Sequence, residues 1–205
     1  MTAVKFCGLR RPEDIEYANI CLPEYVGFVF AESRRRLSLA EAARLRAGLD
    51  PRIRAVGVFA GAEEGFVEEA FASGAIDLVQ LHGGEGDEYV GRLKERLPCP
   101  IIRAVGVGGG MGPPPDRGRA DYLLFDALAG GAMGGGGRAF DWGILAGAPG
   151  PYFLAGGLCA GNLGAAISLL GPYCVDISSG IESGGLKDLA KMRLVMGIAK
   201  RRDTR

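Results

Sequence analysis

Cys7 stands at the end of the short apolar run VKFC and is followed at once by a glycine, a leucine, two arginines and Pro12. A thiol at such a junction could accept a proton, because its thiolate is basic and nucleophilic. It could equally pack as a small hydrophobe, the commoner fate of a free cysteine. Asp126 closes the run YLLFD in the same way. A carboxyl group partly withdrawn from water at a strand end can keep a proton and give it up; the competing reading is a turn cap. His82 ends DLVQLH and Asp176 lies within CVDISSG. The run Arg34-Arg35-Arg36 offers guanidinium groups that could grip a carboxylate bidentately, or could be solvated loop charge. LAGGL, with Gly156 and Gly157, and DISSG, with Ser179 and Gly180, present backbone amides with little bulk in front of them. At neighbouring strand ends such amides make a phosphate cradle; taken singly, each is an ordinary tight turn.

These residues need elements to hold them together. Eight brief, nearly continuous apolar runs recur along the chain: VKFC, YVGFVF, IRAVGVFA, DLVQLH, PIIRAV, DYLLFD, PYFLAG and CVDISS. Continuous apolarity is the pattern of strands buried on both faces of a parallel sheet. Amphipathic stretches alternate with them. One begins at Pro12 with Glu13 and Asp14 in its first turn, and another at Ser38, whose spacing to Glu41 is that of a capping box. GFVEEAFAS, DEYVGRLKERL, NLGAAISLL and LAKMRLVMGIA read as further helices. Eight such units predict that residues 1–205 form a single α/β domain, a (β/α)8 barrel near the lower size limit of that fold. The rival is an open doubly wound sheet, whose usual GxGxxG after the first strand is missing. The glycine- and proline-rich segment 106–119 predicts a short or degenerate helix after the fifth strand. ALAGGAMGGGGR, over 127–138, reads as a functional loop.

Composition narrows the function classes. Lys plus Arg and Asp plus Glu balance at 24 each, which argues against a nucleic-acid partner. No apolar run is long enough to span a membrane, and MTAVKFCG lacks a signal core, so the expected location is cytoplasmic. Five cysteines without a CxxC pair, beside one histidine, fit neither a disulfide framework nor a zinc ribbon. Thirty-five glycines among 205 residues suit tight turns and close approach of backbone to a ligand.

In order along the chain, KFCGLRRPED, GFVF with SRRR, VGVFA, DLVQLHG, LLFD, GGGGRAFDW, LAGGL, VDISSGIE and GLKD resemble the phosphoribosylanthranilate isomerases of tryptophan biosynthesis. The ordered set spans the whole chain. The resemblance implies a (β/α)8 barrel that isomerises N-(5-phosphoribosyl)anthranilate to 1-(2-carboxyphenylamino)-1-deoxyribulose 5-phosphate, an Amadori-type reaction without cofactor or metal. It places the general base on Cys7 and the general acid on Asp126. The arginine near the anthranilate falls most naturally on Arg35, with Arg34 and Arg36 leaving the register open. His82 and Asp176 fall on the sugar side of the pocket; Gly156, Gly157, Ser179 and Gly180 fall on the phosphate loops. The implied partner is a small phosphosugar-anthranilate, and the implied assembly a monomer or homodimer. The sequence departs from the family at Ala139, where a hydroxyl residue is frequent, and at Cys159-Ala160, where Asn-Pro is common. A histidine-pathway sugar-phosphate isomerase and a silent phosphate-binding barrel are the competing readings; the cysteine ending strand 1 disfavours the first, and Cys7 with Asp126 disfavours the second.

Overall fold

A computed structural model describes residues 1–107, 116–126, 142–145 and 147–201. Eight parallel strands, β1 (Ala3–Cys7), β2 (Tyr25–Val29), β3 (Arg54–Phe59), β4 (Leu78–Leu81), β5 (Ile101–Gly106), β6 (Tyr122–Asp126), β7 (Tyr152–Leu154) and β8 (Cys174–Ile177), pair in chain order. β8 then pairs with β1 and closes the barrel. Each of the eight apolar runs supplies one strand. Helices α1 (Pro12–Cys21), α2 (Leu39–Ala47), α3 (Glu64–Ala72) and α4 (Asp87–Arg96) follow the first four strands. α5 (Leu163–Leu170) and α6 (Leu189–Ala199) follow β7 and β8, and a short 3-10 turn (Trp142–Leu145) precedes β7. Ser38 and Glu41 form the expected reciprocal cap of α2. Most of segment 106–119, where a degenerate helix is expected, and the whole of 127–138 lie outside the described residues, as does Ala139.

The period of two along each strand divides the barrel into two cores. Tyr25, Val56, Leu78, Ile102, Leu124, Phe153 and Cys174 fill the interior. Their neighbours in sequence, among them Val4, Phe6, Val26, Val79, Leu123 and Val175, pack outward against the helices. Above the apolar interior, Lys5, Gln80 and Asp176 form a buried polar storey.

The amino-terminal end of the barrel carries a repeated device. Glu24, Asp77 and Asp121 each stand one residue before an even-numbered strand. Each accepts a hydrogen bond from an amide of the preceding odd strand: Val4 N at 2.9 Å, Ala55 N at 2.7 Å and Ile101 N at 2.7 Å. Charge-assisted bonds to edge amides tie successive strands where the ladder begins. The opposite, carboxyl end is thereby left to the loops, as in barrels generally.

Candidate active site

The strand ends converge on a cavity of ≈330 Å³ at the carboxyl-terminal mouth. Cys7, Arg35, His82, Asp126, Gly156, Gly157, Asp176 and Ser179 all line it, together with Ser178 and Gln80. Gly180 follows Ser179, and a Cβ there would run into the Leu158 carbonyl, so its missing side chain lets the β8 loop lie against the β7 loop. A larger groove of ≈480 Å³ lies outside the barrel between α1 and α2, rimmed by Arg10, Glu16, Glu41 and Arg44. Among the described residues, Cys7, Asp126 and Asp176 come together in the mouth cavity.

Cys7 enters from β1. Lys5, two residues earlier, shares its inward face, is fully buried, and places Nζ 2.7 Å from Asp176 Oδ2 across the β1–β8 register. Burial works against the Lys5 ammonium, but the Asp176 carboxylate and the Cys7 sulfur beside it hold its pKa above the usual lysine range. Burial pushes the Cys7 thiol up; Lys5 pulls it down, Asp176 opposes that pull, and Lys187 adds to it. The net direction is upward, with burial the largest cause and the two lysines working against it. Ser178 Oγ donates to the Cys7 carbonyl at 3.1 Å and fixes the strand end. Gly8 follows at φ +77, and a Cβ there would strike the Arg35 side chain.

Of the three consecutive arginines, the structure singles out Arg35. Its side chain is 20% exposed and lines the cavity, whereas that of Arg34 is 62% exposed and that of Arg36, paired with Glu32, is 54% exposed. Arg35 grips Glu182 through Nε (2.8 Å) and Nη2 (3.0 Å). Glu182 begins a small hairpin, β9 (Glu182–Ser183) and β10 (Leu186–Lys187), that closes over the end of β8. The same carboxylate receives Arg34 at 2.9 Å and buried Lys187 at 2.9 Å. Burial alone would raise its pKa, but hydrogen bonds from Arg35 and Lys187 lower it to about 2. Lys187 also donates to the Ser178 carbonyl at 3.0 Å.

His82 Nε2 lies 3.3 Å from Asp126 Oδ2, and Gln80 Nε2 donates to His82 Nδ1 at 3.0 Å. The other Gln80 amide atom, Oε1, is buried without a partner among the described residues. On the far side, Gly156 and Gly157 take φ values of +87 and +63, which aim successive amides as a side-chain-bearing residue rarely could. Asn162 braces that turn by accepting from Cys159 N at 2.9 Å and donating to Gly157 O at 3.0 Å. The bracing does not require proline at position 160.

The resemblance named the lining residues but gave no role to Lys5, Gln80, Glu182 or Lys187. Their signal was in the sequence: each stands beside or inside a quoted motif, and two are lysines flanking the proposed thiol in space. The pairings themselves, Lys5 with Asp176 and Glu182 with three cations, depend on strand order and hairpin closure. The other four cysteines do not converge on the site: Cys99 and Cys174 are buried, and Cys21 and Cys159 are half-buried.

Fold and cavity together define a (β/α)8-barrel protein with a thiol, a carboxyl group and an arginine converging at the strand carboxyl ends. The model of the N-(5'-phosphoribosyl)anthranilate isomerase family matches residues 4–197. The chain belongs to that family. It is 44% identical over 192 residues to the N-(5'-phosphoribosyl)anthranilate isomerase of Endomicrobium trichonymphae, covering 94% of this chain and 95% of that protein. The crystal structure of TrpF from Jonesia denitrificans superposes with a TM-score of 0.85 at 32% identity, covering 98% of this chain and 97% of that one. A phosphoribosyl anthranilate isomerase crystallised with reduced 1-(o-carboxyphenylamino)-1-deoxyribulose 5-phosphate superposes with a TM-score of 0.81 at 31% identity, covering 98% and 99%.

Proposed function

We propose that this chain isomerises N-(5-phosphoribosyl)anthranilate to 1-(2-carboxyphenylamino)-1-deoxyribulose 5-phosphate in tryptophan biosynthesis, with Cys7 as general base and Asp126 as general acid. The observation that carries the assignment of roles is that both groups line one cavity from β1 and β6, three strand steps apart around the ring. A proton donor and a proton acceptor on different walls can serve the two ends of one sugar.

The reaction needs a proton on the departing ring oxygen when the aminal opens, and Asp126 supplies it. The Schiff base so formed acidifies the adjacent ribose carbon. The Cys7 thiolate removes that proton, the C–H electron pair becomes the double bond of an enolamine, and tautomerisation gives the ketone. Gly156, Gly157, Ser179 and Gly180 hold the phosphate through their loops, and the small Gly180 also keeps the two loops in contact. Arg35 lines the cavity and would hold the anthranilate carboxylate through the part of its guanidinium that does not engage Glu182. His82 and Asp176 hold the sugar between the two ends.

Because the Gln80 amide nitrogen can only donate, His82 Nδ1 accepts from it and Nε2 faces Asp126 Oδ2, so the pair fixes the imidazole that orients the Asp126 carboxyl group.

The direct test follows anthranilate-sugar fluorescence after adding purified protein to freshly formed N-(5-phosphoribosyl)anthranilate. Protein-dependent loss of the signal is expected. No loss, with turnover of the histidine-pathway aminoaldose instead, would reassign the substrate.

A further inference from the structure

We propose that Lys5 is the positioning residue of the Cys7 base: its ammonium, clamped by Asp176 inside the barrel, is the cation against which Cys7 ionises. The purpose of this device rests on the isomerase reading, but the coupling is a property of the ligand-free protein.

Three observations carry it. Lysine is almost never fully buried unless paired, and Lys5 is at 0% exposure with its ammonium 2.7 Å from Asp176. An apolar pair of similar volume would pack that storey of the barrel at least as well, so stability alone does not account for the charges. Next, the neighbouring inward position on β2 is glycine. A Cβ on Gly27 would stand 2.8 Å from Cys7 Sγ and 3.3 Å from Lys5 Nζ, so the absent side chain leaves thiol and ammonium around one shared space. Finally, Asp176 spends only Oδ2 on Lys5. Its Oδ1 is buried without a partner among the described residues, and Asp176 itself lines the mouth cavity.

The charged groups around Cys7 act in opposed directions. Lys5 from β1 and Lys187 from β10 favour the thiolate, while Asp176 from β8 disfavours it. Arg35, His82 and Asp126 line the same cavity. Lys187 is committed to Glu182 and the Ser178 carbonyl, which leaves Lys5 as the cation whose hold Asp176 sets. A substrate hydroxyl donating to Asp176 Oδ1 would draw negative charge away from Lys5 and leave more of its field to the sulfur. During proton abstraction the substrate proton moves to sulfur, and Lys5 keeps its own proton throughout.

The test titrates Cys7 alone, as the ultraviolet thiolate absorbance of each protein minus that of the same protein carrying Cys7→Ser. Asp176→Asn should lower the thiolate midpoint below wild type, because it removes the opposing charge. Adding Lys5→Met to Asp176→Asn should raise the midpoint by about 1–3 pH units above Asp176→Asn alone. The double variant leaves no orphaned charge and should keep the cooperative thermal transition. Coincident midpoints in the single and double variants, or an Asp176→Asn midpoint at or above wild type, would overturn the proposal; the second comparison needs only the single variant. A merely structural role would move both variants together, by loosening the barrel. Turnover of the wild-type protein judges the isomerase reading separately, so either idea can fail while the other stands.

Discussion

Gly27 and Cys7 are register partners on β2 and β1, and the thiol occupies the space that a side chain on Gly27 would claim. A Cβ placed 2.8 Å from Sγ is too close to be absorbed without movement. Gly27→Ala should therefore push the thiol from its place. We expect kcat to fall by about 10²-fold, the scale of a misplaced catalytic group. The overpacking should cost about 1–3 kcal/mol in stability. Steady-state kinetics beside denaturant unfolding would separate the two effects, and an unchanged kcat would show that the thiol has room to spare.

Arg35 is the arginine that reaches the cavity, so Arg35→Ala should raise KM for the anthranilate-bearing substrate by about 10- to 100-fold, the loss of a charge-assisted hydrogen bond. Binding of inorganic phosphate should change little. Arg34→Ala and Arg36→Ala, at more exposed positions, should stay within a few-fold of wild type. Equal losses of substrate and phosphate binding in Arg35→Ala would mean that the arginine holds the site together through Glu182 and does not meet the anthranilate.

Glu182 predicts an acid limb of stability. Its folded pKa, about 2, lies below the ordinary value of 4.5. A depressed carboxylate pKa stabilises the fold above the unfolded value, and that contribution is lost as pH falls from there through the folded value. Glu182→Gln should thus lower the melting temperature at pH 7, with the difference from wild type shrinking between about pH 4.5 and pH 2. A constant difference across that range would show that the hub works through packing and not charge.

The carboxylates beneath the barrel predict the opposite profile, stability without chemistry. Asp77→Ala leaves the Ala55 amide without its acceptor and should cost about 1–3 kcal/mol. Turnover by the folded fraction should be unchanged, because Asp77 lies at the amino-terminal end, away from the mouth. Urea unfolding and kinetics on one preparation would check both halves.

The fold was legible in the sequence because a parallel barrel writes each strand as a short continuous apolar run. Ser38–Glu41 gave the start of α2 for a local reason, a reciprocal cap closed within four residues. The site was partly legible. Cys7, His82, Asp126 and Asp176 stand at or near strand ends, where the fold itself sends side chains to the mouth. The choice of Arg35 over its neighbours came only from the family register, which left Arg34 and Arg36 open; the residues alone do not decide it, because it depends on Glu182, a hundred and more residues away, and on the room left by Gly8. The phosphate reading of Gly180 rests on its motif, and the structure adds that its smallness lets two loops meet. What acts on the Cys7 thiol was hidden for the same reason as the arginine choice. Lys5 is near in sequence, but Asp176 and Lys187 reach the thiol only once β8 closes on β1 and the hairpin folds back.

The measurement that bears most directly on the account is turnover of N-(5-phosphoribosyl)anthranilate by Cys7→Ala and by Asp126→Asn, set against wild type. Each should lose about 10²- to 10⁴-fold in kcat, the scale of a positioned general base or acid, while melting temperature and phosphate affinity stay close to wild type. Near-normal turnover in either variant would contradict the assignment of that residue, and near-normal turnover in both would remove acid–base catalysis by this pair from the account.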